Sequence, residues 1–310
     1  MKPLTTEQIR TVIARGKLKD NIFKVLGVFC LSLAVVVIVA LIADMVIKGS
    51  ERFTVDFFLN FASRHANKAG ILSAWVGSLL VMFVTALAAV PLGVAAGLYL
   101  EEYAKRNWIT NIIEINISNL AAVPSIVYGL LALGIFVYQF GFGQSILSAG
   151  LTLALLILPI IIVSTREAIR AIPAMIREGS MAVGATRWQT CRYHIIPYAM
   201  PGILTGVIIG LARAIGETAP IITIGALTFI AFLPPAPFSE LGDGGTAGLF
   251  DWVMAPFTVM PIQIFNWTSR PDPAFEINAA AAGFVLMAMV LSMNAVAIYL
   301  RYKMRKNIKW

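Results

Sequence analysis

The sequence predicts an all-α integral membrane protein built from a bundle of six transmembrane helices. Of its 310 residues, 59% are hydrophobic and 13% are charged, whereas soluble domains carry about 25% charged residues. Runs of about 20 or more mostly apolar residues recur along the chain, and each is long enough to cross a hydrocarbon core about 30 Å thick. We expect the six spans at 23–47, 71–100, 117–140, 145–164, 201–233 and 277–300.

The first span could be confused with a secretory signal, because basic residues precede it. Its apolar run is too long for a signal core of about 7 to 15 residues, so we expect a retained membrane anchor. The chain is then divided into a cytoplasmic tail at 1–22, an anchor helix at 23–47, a core of five spans at 71–300 and a second tail at 301–310. The core includes two long loops, at 166–197 and 234–276.

The distribution of lysine and arginine orients the chain. Eighteen of these residues lie in the two tails and in the second and fourth loops, whereas the other loops hold five. Because cytoplasmic segments retain lysine and arginine, both termini are placed in the cytoplasm and the loop at 234–276 is placed outside. That outer loop is too rich in tryptophan and phenylalanine to be a disordered linker. The same distribution explains the net charge of +8 without any need for nucleic acid.

The loop at 166–197 carries the most informative pattern. Pro173 starts a helical stretch, Gly184 is placed to end it, and Thr186 is placed to cap a second short helix that contains Trp188. The apolar side of the first helix is expected to consist of Ile172, Met175, Ile176, Met181 and Val183. Two short helices joined at a glycine predict a compact knob below the membrane, which either caps the bundle or docks a partner.

Glu178, Gly184 and Pro197, at their mutual spacing, resemble the EAA loop of ABC importer permeases. The resemblance implies a type I ABC importer permease architecture, in which this loop forms a cytoplasmic coupling helix that docks into a groove of the ATP-binding subunit. Gly179 and Ser180 stand where that family has two alanines, and the glycine costs about 1 kcal/mol of helix propensity relative to alanine. The residues implied in coupling are Glu178, Gly179, Ser180 and Gly184.

Two ionisable residues, Arg213 and Glu217, lie inside the predicted fifth span. Central charges cost about 2.5 to 3.5 kcal/mol on insertion scales, so both should face protein or water. Their spacing places them on one helical face with Gly206 and Gly210, although arginine before glutamate is the poorer order for a simple intrahelical bridge. Either the two neutralise each other to hold helices together, or Arg213 supplies positive charge for a crossing anion and Glu217 compensates it in an empty pathway.

Smaller features could line a pathway or serve packing alone. Pro124 and Ser125 predict a break in the third span, and such breaks either line a cavity or form ordinary kinks. Small residues recur at every fourth position of the fifth span and continue to Thr218, a ridge that most simply permits close helix contact. The members of this ridge include Gly202, Gly206 and Gly210. The candidate pathway residues are Arg213, Glu217, Ser125 and Thr218.

Three stretches indicate one group among the ABC importer permeases: AVPSIVYGL at 122–130, ARAIGETAP at 212–220 and MPIQIFNWTSRP at 260–271. They are similar to the PstA family of phosphate-importer permeases, and the similarity extends from the second span to the sixth. In the related PstC permeases the second stretch typically continues with methionine instead of Ala219 and Pro220. The resemblance implies that Arg213 and Glu217 serve phosphate passage.

The resemblance also implies partners. We expect a PstC-like permease subunit as the second half of a heterodimeric pore, two copies of a PstB-like ATP-binding subunit, a PstS-like phosphate-binding protein outside, and a bacterial cytoplasmic (inner) membrane around the whole. The chain has no G-x-x-x-x-G-K-[ST] stretch. It is therefore expected to be a transport subunit and not an enzyme, with no cofactor or metal of its own and with ATP and magnesium bound by the partner ATPase.

Other interpretations stay open at this point. The same role could serve another oxyanion, because arginine recognises charge and geometry more than the central atom. A stand-alone secondary anion carrier would explain Arg213 but not the loop, and a membrane scaffold would explain the loop but not Arg213. A membrane enzyme is disfavoured, since no predicted span holds a histidine to activate a nucleophile. Cys30 and Cys191 fit neither a disulfide framework nor a zinc site.

Overall fold

The computed structural model describes residues 6–105, 107–239 and 246–306, with side chains described for 16–105, 107–239 and 246–303. Parts of the predicted tails and loops lie outside the described residues, namely 1–5, Arg106, 240–245 (which include Glu240 and Asp243) and 307–310.

Twelve α-helices can be followed through the described residues. In chain order they are α1 (Thr6–Gly49), α2 (Val55–Leu59), α3 (Leu72–Leu98), α4 (Trp108–Leu120), α5 (Ser125–Ala132), α6 (Ile146–Arg170), α7 (Ala174–Ala182), α8 (Arg187–Thr190), α9 (Ile196–Gly216), α10 (Ala219–Ile224), α11 (Met260–Thr268) and α12 (Ala274–Lys306). Three π-helical segments extend this set: Tyr99–Tyr103 after α3, Leu133–Gln139 after α5 and Cys191–Ile195 before α9.

These helices confirm the predicted all-α membrane fold. Those long and apolar enough to cross a membrane are Gly16–Arg52, Leu72–Tyr103, Ile146–Arg170, Arg187–Gly216 and Ala274–Lys303. A sixth crossing is formed if the bent pair Trp108–Leu120 and Ser125–Gln139 counts as one broken span. The predictions for the first, second, fourth and sixth spans each correspond to one continuous helix.

The break predicted at Pro124 and Ser125 in the third span is confirmed, although the helical path of this span begins at Trp108 and not at 117. The chain bends by 106° between α4 and the helix that starts at Ser125. Pro124 causes this break, because its ring disfavours helical geometry in the residue before it. The hydroxyl of Tyr128 donates to the carbonyl of Leu120 across the bend at 2.8 Å, so the bend is held by a specific contact.

The fifth predicted span, at 201–233, is wrong at both ends. Its helical path begins earlier, at Arg187, and α9 ends at Gly216. Pro220 explains this end, because it lacks the N–H that would bond to the carbonyl of Gly216 and its ring would clash with that carbonyl. The chain resumes a helix in α10 and then leaves it at Gly225, which has a φ of 97°.

Close packing of α6 with α3 and α9 forms the centre of the bundle. In the most apolar window of α6, 67% of the residues are buried, the largest share among the described spans. Gly202 and Gly206 of α9 lie against Ala168 and Ser164 of α6. The small-residue ridge of the fifth span is therefore a helix contact, as the simpler interpretation predicted.

The described residues 246–276 of the predicted outer loop fold against the bundle. Trp267 of α11 and Phe257 are fully buried, and the backbone N–H of Met260 donates to Oγ of Ser78 on α3 at 2.8 Å. Buried aromatic side chains together with a buried hydrogen bond give this loop a fixed place over one end of the bundle.

The first helix stands largely apart from this bundle. Side chains at 17–41 of α1 are all exposed, and burial begins only near its carboxyl end. There Gly49 lies against Ala281 of α12, and Met45 lies against Gly283 of the same helix. Within the described residues, α1 is therefore held mainly by its last two turns.

Candidate functional site

The charged pair of the fifth span sits at the end of α9. Arg213 lies in the last turn, and Glu217 is the first residue beyond the helix, with φ −76° and ψ 127°. Nε of Arg213 donates to Oε1 of Glu217 at 3.2 Å. A cation in the last turn of a helix is also stabilised by the helix dipole. The break thus permits a direct ion pair that the residue order alone disfavoured.

The prediction that Arg213 and Glu217 share one helical face with Gly206 and Gly210 is wrong, because the helix ends at Gly216. Gly206 and Gly210 face α6, whereas the side chain of Arg213 is 39% exposed and that of Glu217 is 19% exposed. Because Glu217 is not helical, the four-residue spacing no longer decides where its side chain points. The arginine consequently presents part of its guanidinium to the outside of this chain.

Two helix breaks meet beside this pair. A Cβ atom added to Gly129 of α5 would lie 2.6 Å from Cα of Pro220 on α10 and would also overlap Oγ1 of Thr223. The segment after the break in the third span therefore packs on the segment after the break in the fifth. Ser125 begins the first of these segments and Thr218 immediately precedes the second.

The structure brings the four candidate pathway residues together only in part. Arg213 and Glu217 are bonded directly, whereas Ser125 and Thr218 are half-buried residues beside the two breaks. In the described part of the chain, neither hydroxyl is hydrogen-bonded to the charged pair. Arg213 and Glu217 therefore form the centre of the candidate pathway.

The space next to Glu217 inside the bundle is small. A cavity of about 10 Å³ is lined by residues of α3, α6, α9 and α10 together with Glu217 and Val259. That volume is at the lower limit for one water molecule, so it does not admit an oxyanion. An anion that meets Arg213 must therefore approach it from the exposed side of the guanidinium.

The loop at 166–197 forms the predicted knob. Pro173 immediately precedes α7, Gly184 has a φ of 90°, and Thr186 forms a capping box with Gln189 at the start of α8. Oγ of Ser180 and Oγ1 of Thr190 lie 2.9 Å apart, so the two short helices are also joined by their side chains.

The apolar residues of the first short helix do not form the one face that was predicted, because some are buried against the bundle and others are exposed. Ile172 is 5% exposed and packs toward the bundle, whereas Met175 is 79% exposed and Val183 is 86% exposed. Trp188 is 55% exposed. The knob therefore keeps an apolar outer surface that the described bundle does not cover. Glu178 and Gly179 are exposed as well.

An ionic cluster above the knob was missed by the sequence reasoning. Its members come from four elements, and they are Glu101, Glu102, Glu114, Arg166, Arg170 and Arg177. Glu101 contacts Arg170 at 3.0 Å and Arg166 at 3.6 Å, and Arg166 contacts Glu114 on α4 at 2.6 Å. The available signal was the pair of adjacent glutamates at the end of a span, in segments otherwise rich in arginine.

The buried part of this cluster is compact. The side chain of Arg166 is 9% exposed and that of Glu101 is 12% exposed. Buried charges require partners because an unpaired one carries a large desolvation cost. The cluster therefore joins the π-helical segment after α3, the middle of α4 and the carboxyl end of α6 on the side where the knob lies.

Comparison with known proteins identifies the family of this chain. A family described as "Binding-protein-dependent transport system inner membrane component" matches residues 89–306, a stretch that includes both the knob and the charged pair. The chain belongs to this family. It is an ABC importer permease, and the predicted six-span permease architecture is confirmed.

Sequence relatives extend over nearly the whole permease. The probable ABC transporter permease protein YqgI of Bacillus subtilis is 31% identical over 284 residues, which are 90% of this chain and 94% of the relative. The phosphate transport system permease protein PstA of Mycobacterium leprae is 29% identical over 97% of this chain and 94% of the relative.

Solved structures show the same fold at low sequence identity. A chain of the bacterial alginate ABC transporter, solved in complex with an alginate pentasaccharide-bound periplasmic protein, matches 91% of the permease and 94% of its own length, with a TM-score of 0.62 and 12% identity. A chain of the MetNI methionine ABC transporter in an inward-facing conformation matches 74% of the permease and 93% of its own length, with a TM-score of 0.56 and 16% identity. These two structures share the fold of the permease.

Proposed function

We propose that this permease is the PstA-like subunit of an ATP-driven importer of inorganic phosphate. The observation that carries the proposal is Arg213, partly exposed at the end of a broken helix and paired with Glu217. A guanidinium does not lose its proton and matches the oxygens of phosphate through paired N–H donors. Relatives named as phosphate permeases, such as that of Mycobacterium leprae, support phosphate among the oxyanions.

The geometry of the pair suggests how an anion passes. Glu217 accepts a hydrogen bond from Nε of Arg213, and a guanidinium carries further N–H donors that an arriving phosphate can occupy. While the pathway is empty, the carboxylate compensates the arginine charge, which avoids the larger cost of leaving one charge unpaired. Since the cavity inside this chain is too small for an anion, the pathway requires a second surface opposite the exposed side of Arg213.

The requirement for a second surface opposite Arg213 is met by the partner subunits. A PstC-like permease supplies the opposite surface of the pathway, and a PstS-like binding protein delivers phosphate from outside. Two copies of a PstB-like subunit bind ATP and magnesium below, and one of them lies against the apolar outer surface of the knob formed by Met175, Val183 and Trp188. In this arrangement Glu178, Gly179, Ser180 and Gly184 shape the docking helix, and both termini lie in the cytoplasm of a bacterium.

The proposal is tested by isolating the assembly and measuring its transport. An antibody to this chain should capture a second permease and an ATPase from detergent-solubilised membranes. The captured complex, reconstituted into vesicles with its binding protein and ATP, should accumulate inorganic phosphate, and sulfate at the same concentration should not compete. Capture of the complex without phosphate accumulation, or stronger uptake of sulfate, would exclude phosphate as the substrate. Uptake by this chain alone would exclude the ABC mechanism.

A further inference from the structure

Arg177 connects the knob to the membrane bundle. Its Nε donates to Oε1 of Glu102 at 2.8 Å, its Nη1 to the carbonyl of Ile172 at 2.8 Å, and its Nη2 to the carbonyl of Ile169 at 2.8 Å. Ile169 lies in the last turn of α6, where carbonyl groups lack partners within the helix. One planar guanidinium therefore joins α7 to the ends of α3 and α6.

The partners of Arg177 make this connection stiff. The side chain of Arg177 is 21% exposed and that of Glu102 is 12% exposed, so water competes only weakly for their hydrogen bonds. Three bonds from one flat group fix both the distance and the orientation of α7, whereas a lysine at the same place would fix one contact only.

The ionic cluster continues the connection toward the broken third span. Glu101, the neighbour of Glu102, contacts Arg166 and Arg170 of α6, and Arg166 contacts Glu114 of α4. The helix α4 ends at the bend before α5, and α5 packs on α10 beside the charged pair. Ion pairs, together with the helices that carry them, therefore connect α7 with the two segments beside the candidate pathway.

We propose that Arg177 is a positioning residue for coupling: together with Glu102, it holds the coupling helix α7 in register with α3 and α6, so that movement of α7 is passed to the broken spans. This inference rests on the proposed function, because it takes α7 as the element that receives the ATPase. A helix that is docked but loosely joined to the bundle lets ATP hydrolysis proceed without moving the pathway.

The first test compares transport with hydrolysis in the same vesicles. The complex is reconstituted with Arg177→Gln, with Arg177→Lys, with Glu102→Gln and with the double change, and inorganic phosphate uptake and ATP hydrolysis are measured together. We expect Arg177→Gln to lower the phosphate imported per ATP about fivefold, Arg177→Lys to lower it about twofold, and the double variant to be no worse than Arg177→Gln. The matched control is Lys105→Gln, which removes an exposed cation that forms no ion pair among the described residues, and it should keep the wild-type ratio.

The second test does not depend on transport. Spin labels on cysteines at positions 99 and 182, in a background with Cys30 and Cys191 replaced by alanine, report the distance between the end of α3 and α7. We expect one narrow distance distribution in the wild-type complex and with Lys105→Gln, and a clearly broader one with Arg177→Gln.

The outcomes separate this inference from the proposed function. A wild-type complex that imports no phosphate contradicts the proposed function, and the distance distribution still decides whether Arg177 fixes α7. An unchanged ratio of uptake to hydrolysis in Arg177→Gln overturns the positioning role. So does an unchanged distance distribution, or a fall in uptake and hydrolysis by the same factor. Should Arg177→Gln fail to assemble, Arg177→Lys and Glu102→Gln carry the same comparison.

Discussion

Gly129 of α5 lies so close to Pro220 of α10 that a Cβ atom at residue 129 would be 2.6 Å from the proline Cα atom. The segments that follow two helix breaks, in different spans, are thus in backbone contact. Closely packed interiors accommodate little local change, so displacement of one segment requires displacement of the other. The ion pair between Arg213 and Glu217 stands immediately before the second segment.

A methyl group at this contact should loosen it. Gly129→Ala is expected to destabilise the permease by about 1–3 kcal/mol, because the added carbon overlaps Pro220 and Thr223 and forces the two segments apart. The melting temperature of the purified complex should fall, and phosphate uptake should fall with it. Gly134→Ala is the control, because nothing lies within 4 Å of an added carbon there. Equal melting temperatures for the two variants would show that the contact is not tight.

The pair of Arg213 and Glu217 gives the second prediction. If neutralisation were its only role, Gln at both positions should restore uptake, because the double change removes the unpaired charge that each single change leaves. We expect the double variant to assemble at wild-type level and to import at least about 10-fold less phosphate, a loss of about 1.4 kcal/mol or more in transport efficiency.

Two further measurements accompany that variant. Arg213→Lys should retain part of the uptake, since the charge persists while the planar fork is lost. Protein level and capture of the partner subunits separate a transport defect from an assembly defect. Wild-type uptake with Gln at both positions would show that the arginine is structural.

The third prediction concerns the corner of the knob. Gly184 has a φ of 90°, so Gly184→Ala should cost about 1–2 kcal/mol of local stability because a Cβ atom strains the left-handed conformation. Trypsin should then cut the loop faster at Arg187, and the phosphate imported per ATP should fall. Gly179→Ala is the matched control: it lies inside α7 with open space around it and should stabilise that helix by up to about 1 kcal/mol. Equal cleavage rates in the two variants would contradict the strain argument.

The orientation of the chain gives the fourth prediction. Single cysteines at Asp272, Arg187 and Lys303, in a background without Cys30 and Cys191, should react differently with an impermeant reagent added to sealed cells. The cysteine at 272 should be labelled, whereas those at 187 and 303 should react only after the membrane is opened, because the flanking basic residues are retained inside. Labelling at 303 in sealed cells would reverse the proposed topology.

Composition and local signals predicted much of this fold. Apolar length located the spans that form continuous helices, and Pro173, Gly184 and Thr186 located the knob, because helix starts and stops depend on neighbouring residues alone. Pro124 also indicated a break in the third span.

Other features were missed, some because apolar length does not show a local break and others because they depend on contacts between distant segments. Hydropathy stays high across both breaks, so it could not show that α9 ends at Gly216 or that the chain bends by 106° after α4. The ion pairs of Glu101 and Glu102 join residues more than 60 positions apart, and no spacing rule reaches that far. Burial of Ile172 beside the exposed Met175 likewise depends on where the knob meets the bundle.

Because α1 packs on the bundle mainly through its last two turns, the two ends of the chain differ in their tolerance of fusion partners. Since its side chains at 17–41 are all exposed within the described chain, we expect an affinity handle or a fluorescent reporter fused ahead of this helix to leave the packing of α3, α6 and α9 intact. The opposite end is less tolerant: Nη1 of Arg301 donates to Oγ1 of Thr205 at 3.0 Å and closes α12 on α9. Bulky fusions therefore belong before the first helix.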